Sequence, residues 1–200
     1  MAALLKTLIE LERLKRLDRT GWTLRGLPNA TESVASHSFG VGVTAMLLAD
    51  LCARRGLALD VGKVLRIALL HDWSEVRVGD MPKTAVEYFG KELRRKAEMA
   101  AFSDIVSELA EAQYYKELHE EYELRASIEA RLVKVADVVD LLVEALALER
   151  AGHRGLNEFW DVLKVRDFGL DGLARDIIDE VLDALVIARK EVQQSSSAGQ

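Results

Sequence analysis

The stretch from Ser127 to Gly152 constrains the fold more than any other. Val133, Ala136, Val139, Leu141, Val143 and Leu146 place apolar side chains on several faces of one helix rather than along a single stripe. Such a helix must be covered on most sides, which predicts a central helix with other helices packed around it. Ser127 offers the N-cap and Gly152 the stop. Asp137 falls inside this apolar setting, where a carboxylate needs a partner.

The rest of the chain supplies the covering helices. Leu4, Leu5, Leu8, Leu11, Leu14 and Leu17 recur at helical spacing, predicting an amphipathic helix over residues 1–17 with the leucines on the core side. Charges of both signs on its polar face argue against a membrane-surface helix. Residues 18–31 read as a loop, broken by Gly21, Gly26, Pro28 and Asn29 and carrying Arg19, Trp22 and Arg25. Ser33 caps a second helix that runs to about Arg55 and stops at Gly56; its apolar face takes in Val34, Val41, Met46 and Leu48. His37 lies one turn before Val41, and Gly40 and Gly42 predict close approach of another element there. Asp60 caps a third helix, through Val64, Ile67 and Ala68 to His71. Further helices are expected over 83–89, 91–112, 113–125, 157–165 and 171–192. In the last of these, Ile177, Ile178, Val181, Leu182, Leu185 and Val186 either cover the core or form a face for a second copy. No strand alternation or repeat stands out. The expectation is a single all-α domain over 1–192, followed by a mobile polar tail over 193–200.

Composition narrows the function classes. Half of the 200 residues are hydrophobic and 30% are charged, enough for a substantial core, and only Pro28 and Pro82 interrupt a helix-forming mixture. A net charge of −6 argues against a surface for nucleic-acid polymers while leaving room for a small nucleotide. Cys52 is the only cysteine, so no intramolecular disulfide forms and a reducing, cytoplasmic compartment is expected. The charged N-terminus does not read as a signal peptide, and the longest uncharged apolar run, 40–49, is too short to cross a bilayer; no membrane partner is expected.

The chemistry concentrates in Leu69-Leu70-His71-Asp72-Trp73-Ser74-Glu75, running on to Gly79-Asp80-Met81-Pro82. Neighbouring residues on a helix point about 100° apart, so His71 and Asp72 act together only around something small, such as a metal ion. His37 and Asp137 are placed to complete the set from two other helices. Burying these four unpaired costs several kcal/mol, and a divalent ion offsets that. Two histidines and two aspartates, with no thiolate, suit Mn²⁺, Fe²⁺, Co²⁺, Ni²⁺ or Zn²⁺ with positions left for water and substrate. Such an ion makes water a hydrolytic nucleophile near neutral pH. On the residues alone other readings stay open. His37 could be a satisfied core residue, His71-Asp72 a helix-end cap, and Asp137 the partner of Lys134 one turn back. Trp22 could simply be packed, and the arginines solvated. No Walker-type glycine loop is present.

The pattern His37…His71-Asp72…Asp137 resembles the H…HD…D signature of the HD-domain metal-dependent phosphohydrolases, an all-helical family. Arg-Thr-Gly-Trp (19–22), Glu-Ser-Val-Ala-Ser-His-Ser (32–38), His-Asp-Trp-Ser-Glu-Val-Arg-Val-Gly-Asp-Met-Pro (71–82) and Leu-Val-Lys-Val-Ala-Asp (132–137) look like its 5′-deoxynucleotidase branch, in order, across Arg19 to Arg150. The resemblance implies hydrolysis of deoxyribonucleoside 5′-monophosphates by a homodimer with one divalent transition metal per site. His37, His71, Asp72 and Asp137 would hold the ion, and Asp137 would also orient the attacking water. Glu75 would activate that water or protonate the leaving 5′-oxygen. Asp80 would contact the sugar. Arg19, with Arg25 as a rival, would bind phosphate, with Lys83 and Lys134 as further charge. Trp22 would shape the sugar pocket against a ribose 2′-hydroxyl. Trp73 is bulkier than the residue expected at its position and either narrows the pocket or packs behind it. Two alternatives keep the same residues: an HD-domain hydrolase of the phosphodiesterase or guanosine tetraphosphate type, and a non-catalytic module that binds nucleotide or metal.

Overall fold

The computed structural model describes the backbone of residues 1–198 and the side chains of residues 1–195. Regular structure among the described residues is helical; the one β-type pairing is an isolated antiparallel bridge between Asp18 and Ser33. The order is α1 (Ala2–Leu11), a 3-10 turn (Glu12–Lys15), α2 (Thr20–Thr23), α3 (Val34–Arg54), α4 (Val61–Leu70), α5 (Glu75–Val78), α6 (Lys83–Phe89) and α7 (Lys91–Val106). Then come α8 (Ala112–Leu124), α9 (Ile128–Arg150), α10 (Asn157–Trp160), a second 3-10 turn (Asp161–Lys164) and α11 (Gly172–Ala198).

Local chemistry sets the helix starts. The side chain of Ser33 accepts from the backbone N–H of Ser36 (3.1 Å), Asp60 from Lys63 (2.9 Å) and Ser127 from Ala130 (3.1 Å), so each long core helix opens on a capped first turn. Helix α9 is the expected central element. Leu132, Val135, Ala136, Val139 and Leu142 bury different faces of it, and α3, α4, α8, α10 and α11 pack around it. Ile177, Ile178 and Leu182 of α11 are buried, so that helix covers the core.

Several expectations are corrected. The helix drawn over 1–17 ends at Leu11 and tightens into the 3-10 turn. Only part of its leucine stripe meets the core: Leu14 is buried and Leu11 packs against it, but Leu4, Leu5 and Leu8 are exposed and Thr7 faces inward, its hydroxyl donating to the Ile105 carbonyl (3.3 Å). Polar docking contacts, including Glu10 with Arg77, set that rotation. The 18–31 loop contains the one-turn α2. Met46, assigned to the buried face of α3, is partly exposed. Helix α7 ends at Val106 rather than near 112. Only residues 157–160 of the 157–165 segment are α-helical. Residues 193–198 of the presumed polar tail continue α11, while 199 and 200 lie outside the described residues. Helix α3 is long and apolar enough to span a bilayer by length and composition, a test that core helices also pass, and Val41, Ala45, Ala49 and Cys52 bury one side of it against α4 and α9.

Candidate active site

Ligand atoms of His37, His71 and Asp72 lie within 4.8 Å of one another, and Asp137 adjoins His37. His37 closes the first turn of α3 and Asp137 comes from the middle of α9; His71 and Asp72 follow the last turn of α4. His37 Nε2 lies 3.1 Å from Asp137 Oδ1 and 3.9 Å from Asp72 Oδ2, and His71 Nε2 lies 3.2 Å from Asp72 Oδ2. Each imidazole is held from behind: His71 Nδ1 donates to the Ala68 carbonyl (2.7 Å), and His37 Nδ1 donates to Asp140 Oδ2 (2.8 Å), since an ionised carboxylate can only accept. Both Nε2 atoms therefore aim at the two aspartates. His71 Nε2 and Asp72 Oδ2 are buried without a hydrogen-bond partner, the condition a metal ligand relieves. The donor set fits a divalent transition ion.

Around this cluster sits a second ring of charge. Arg19, immediately before α2, places Nη1 3.3 Å from Asp80 Oδ1 and 3.7 Å from Asp72 Oδ2. Asp80 also accepts from the Thr20 backbone N–H (2.6 Å) and hydroxyl (2.7 Å), which ties the 18–31 loop to the α5–α6 connection. Glu75, the first residue of α5, is buried and its Oε2 has no hydrogen-bond partner. Lys134 Nζ (2.6 Å) and the Tyr122 hydroxyl (3.3 Å) donate to Asp137 Oδ2.

The titration behaviour follows from this crowding. Burial opposes ionisation of Asp72, yet the charge of His71, 3.2 Å away, with those of His37 and Arg19, holds its carboxyl well below the usual range. Asp137 is likewise held low despite burial, by Lys134 first and then by His37. Burial and Arg19 push His37 down, but its hydrogen bonds to Asp137 and Asp140 outweigh them and lift it to about 9. That field is the one a cation would meet. Glu75 goes the other way: burial first, then the charges of Asp72 and Asp80, raise it well above a normal carboxyl and favour its protonated form. His119, stacked on Phe102, is pushed down to about 4 by burial and the charge of His71.

The sequence-derived candidates thus separate. His37, His71, Asp72, Asp137, Arg19, Asp80 and Glu75 lie together or adjoin one another. Trp22 is buried, tilted on Phe159 with ring centroids 4.4 Å apart, and donates its Nε1–H to Glu32 Oε2 (2.6 Å). Arg25 points away into an ion pair with Glu158. Trp73 stacks on Phe102 and tilts against Tyr115, so its ring contacts lie toward α7 and α8. Lys83 is exposed. The open Lys134–Asp137 pairing is formed, and His71 ends α4 as a helix cap would. Sequence reasoning missed Asp140, Glu32 and Tyr122. Asp140 falls one turn after Asp137, and Gly40 one turn after His37; that matched spacing was a usable signal.

A helical bundle that gathers His, His-Asp and Asp from three helices defines the HD-domain class, and the family comparison agrees. The chain matches the family model described as "HD domain" over residues 11–165 and belongs to that family. Among its relatives is the human 5′-deoxynucleotidase HDDC2, 33% identical over 162 residues, with 80% of this chain and 76% of that protein covered. Another is the Schizosaccharomyces pombe 5′-deoxynucleotidase hdd1, 31% identical over 179 residues, covering 85% and 86%. Among solved structures, a conserved hypothetical protein of Pyrococcus furiosus superposes with a TM-score of 0.79 at 34% identity, covering 90% of this chain and 98% of that one.

Proposed function

We propose that this chain is a metal-dependent 5′-deoxynucleotidase that releases phosphate from deoxyribonucleoside 5′-monophosphates. The observation that carries the reading is the convergence of His37, His71, Asp72 and Asp137 beside Arg19 and a buried Glu75, in a chain whose relatives bear that activity in their names. One divalent ion, Mn²⁺, Co²⁺, Fe²⁺, Ni²⁺ or Zn²⁺, supplies Lewis acidity and an acidified water when bound. Arg19, already braced by Asp72 and Asp80, binds the phosphate and offsets charge on the transferring group. Glu75, kept protonated by its surroundings, delivers a proton to the departing 5′-oxygen. Asp137 orients the attacking water. Asp80 and Thr20 form the sugar side, and Trp22, locked by Glu32 and Phe159, backs that side rigidly against a 2′-hydroxyl.

A second copy of the chain completes the proposal. On α3, Phe39, Val43, Met46 and Leu47 recur at helical spacing and are exposed, with Leu69 of α4 also exposed; this is an apolar face of the kind homodimers bury. The buried thiol of Cys52 supports a reducing cytoplasm, and the charge of −6 supports a mononucleotide over a polymer.

Phosphate release should be measured from deoxy- and ribonucleoside monophosphates, a cyclic dinucleotide and guanosine tetraphosphate, with each ion in turn. Turnover concentrated on the deoxynucleoside monophosphates, and lost in Asp72→Ala, is expected. Absence of any turnover of those substrates, or full activity of Asp72→Ala, overturns the reading.

A further inference from the structure

We propose that Asp140 and Gly40 form a lock that sets the aim of His37, making Asp140 a positioning residue for the metal centre and Gly40 the gap that admits it. The inference rests on the metal reading above.

The imidazole of His37 is fully buried and has a different partner on each nitrogen. Nε2 faces Asp137 and Asp72. Nδ1 has its hydrogen bond to the Asp140 carboxylate of α9, at 2.8 Å. A histidine that ligates through Nε2 needs its Nδ1–H donated elsewhere, because that donation fixes the tautomer and stops the ring rotating about Cβ–Cγ; a carboxylate in that place also makes Nε2 a stronger donor to a cation. Asp140 is three residues after Asp137, so α9 offers one carboxylate to each edge of the same ring.

Gly40 is the independent observation. A Cβ built there would stand 2.0 Å from Asp140 Oδ1, 2.7 Å from its Cγ and 3.0 Å from Oδ2, and its nearest neighbours are all atoms of that one side chain. Gly40 lies one helical turn after His37. The Asp140 carboxylate therefore enters α3 through the missing side chain to reach Nδ1. Flexibility does not explain this glycine, since α3 runs unbroken through it. Asp140 Oδ2 stands at ordinary hydrogen-bond distance from Nδ1, 2.8 Å. Glu32, whose carboxylate lies within 4.8 Å of the same group, is the one rival that would make this side a second cation site.

Co²⁺ affinity of purified, folded variants, measured by competition with a chromophoric chelator, tests the lock without reference to turnover. Asp140→Ala should weaken Co²⁺ binding by about 10–100-fold, and Asp140→Asn, which keeps an acceptor but no charge, by less. Gly40→Ala should weaken it while Asp140 is present. Because the three atoms nearest that Cβ all belong to Asp140, Gly40→Ala combined with Asp140→Ala should bind no worse than Asp140→Ala by itself. Wild-type affinity in Asp140→Ala overturns the proposal, as does a stoichiometry of two Co²⁺ that falls to one in that variant. If Gly40→Ala fails to fold, the two Asp140 variants decide. His71→Ala separates the levels: undiminished Co²⁺ binding there defeats the metal reading itself, whereas loss there with no effect at Asp140 defeats only the lock.

Discussion

Glu75 carries a conflict between stability and chemistry in one side chain. Its carboxyl is buried with one oxygen unpartnered, and its pKa stands well above the ordinary 4.5. A raised folded-state pKa means that the fold favours the protonated form. The resulting contribution to stability is complete below the unfolded value and is lost as pH rises through the raised one; beyond that, an ionised Glu75 is buried at a cost. Glu75→Gln cannot ionise. In chelator-treated protein the variant should unfold at higher urea than wild type at pH 8, and the two should converge near pH 4. With metal restored, its kcat should fall by roughly 10²–10⁴-fold while metal stoichiometry holds. Equal urea midpoints at pH 8 would mean that the carboxylate is not held against its charge.

Short side-chain contacts at element ends decide where the ligands stand. Ser33 caps α3 four residues before His37, and its hydroxyl satisfies the Ser36 N–H. Ser33→Ala should cost about 1 kcal/mol in chemical denaturation and loosen the turn that carries His37. These caps were legible in the sequence because capping is local: Ser33, Asp60 and Ser127 each satisfy a backbone donor three residues on. The rotation of α1 was not legible, since docking is set by distant groups such as Ile105 and Arg77 that leave no trace in leucine spacing. The early end of α7 was hidden for a related reason: residues 107–111, Ser-Glu-Leu-Ala-Glu, are compatible with a continuing helix, and packing decides that they turn. At the site, the H…HD…D spacing marked the four ligands. Asp140 was masked by sitting in a helix read for its apolar faces, and Arg25 was separated from Arg19 only by the partner it found in Glu158.

As a whole the molecule is a central helix wrapped on most sides, with α3 left uneven: one side buries His37 and Val41, the other exposes Phe39 and Leu47. If a second copy covers that exposed side, sedimentation should give twice the chain mass for wild type. Phe39→Glu or Leu47→Glu should shift it to the monomer with helix content retained. A wild-type monomer at micromolar concentration would leave the α3 face without a second copy.

The loop before α3 is closed at its base. Val34 N–H donates to the Leu17 carbonyl (2.8 Å) and Arg19 N–H to the Glu32 carbonyl (3.0 Å), so the chain leaves and re-enters the body through a two-rung neck. Arg19 and Glu32 face each other across it, and the residues between them include the exposed tip Pro28-Asn29-Ala30. Loop length and site geometry are thereby uncoupled: the tip can be lengthened, tagged or cut without carrying the arginine away from Asp72. A Gly-Ser pair inserted between Pro28 and Asn29 should leave Co²⁺ affinity within about twofold of wild type, because closing a slightly longer loop costs only a few tenths of a kcal/mol. The tip is then a port where an affinity tag or a reporter can be grafted onto a working enzyme.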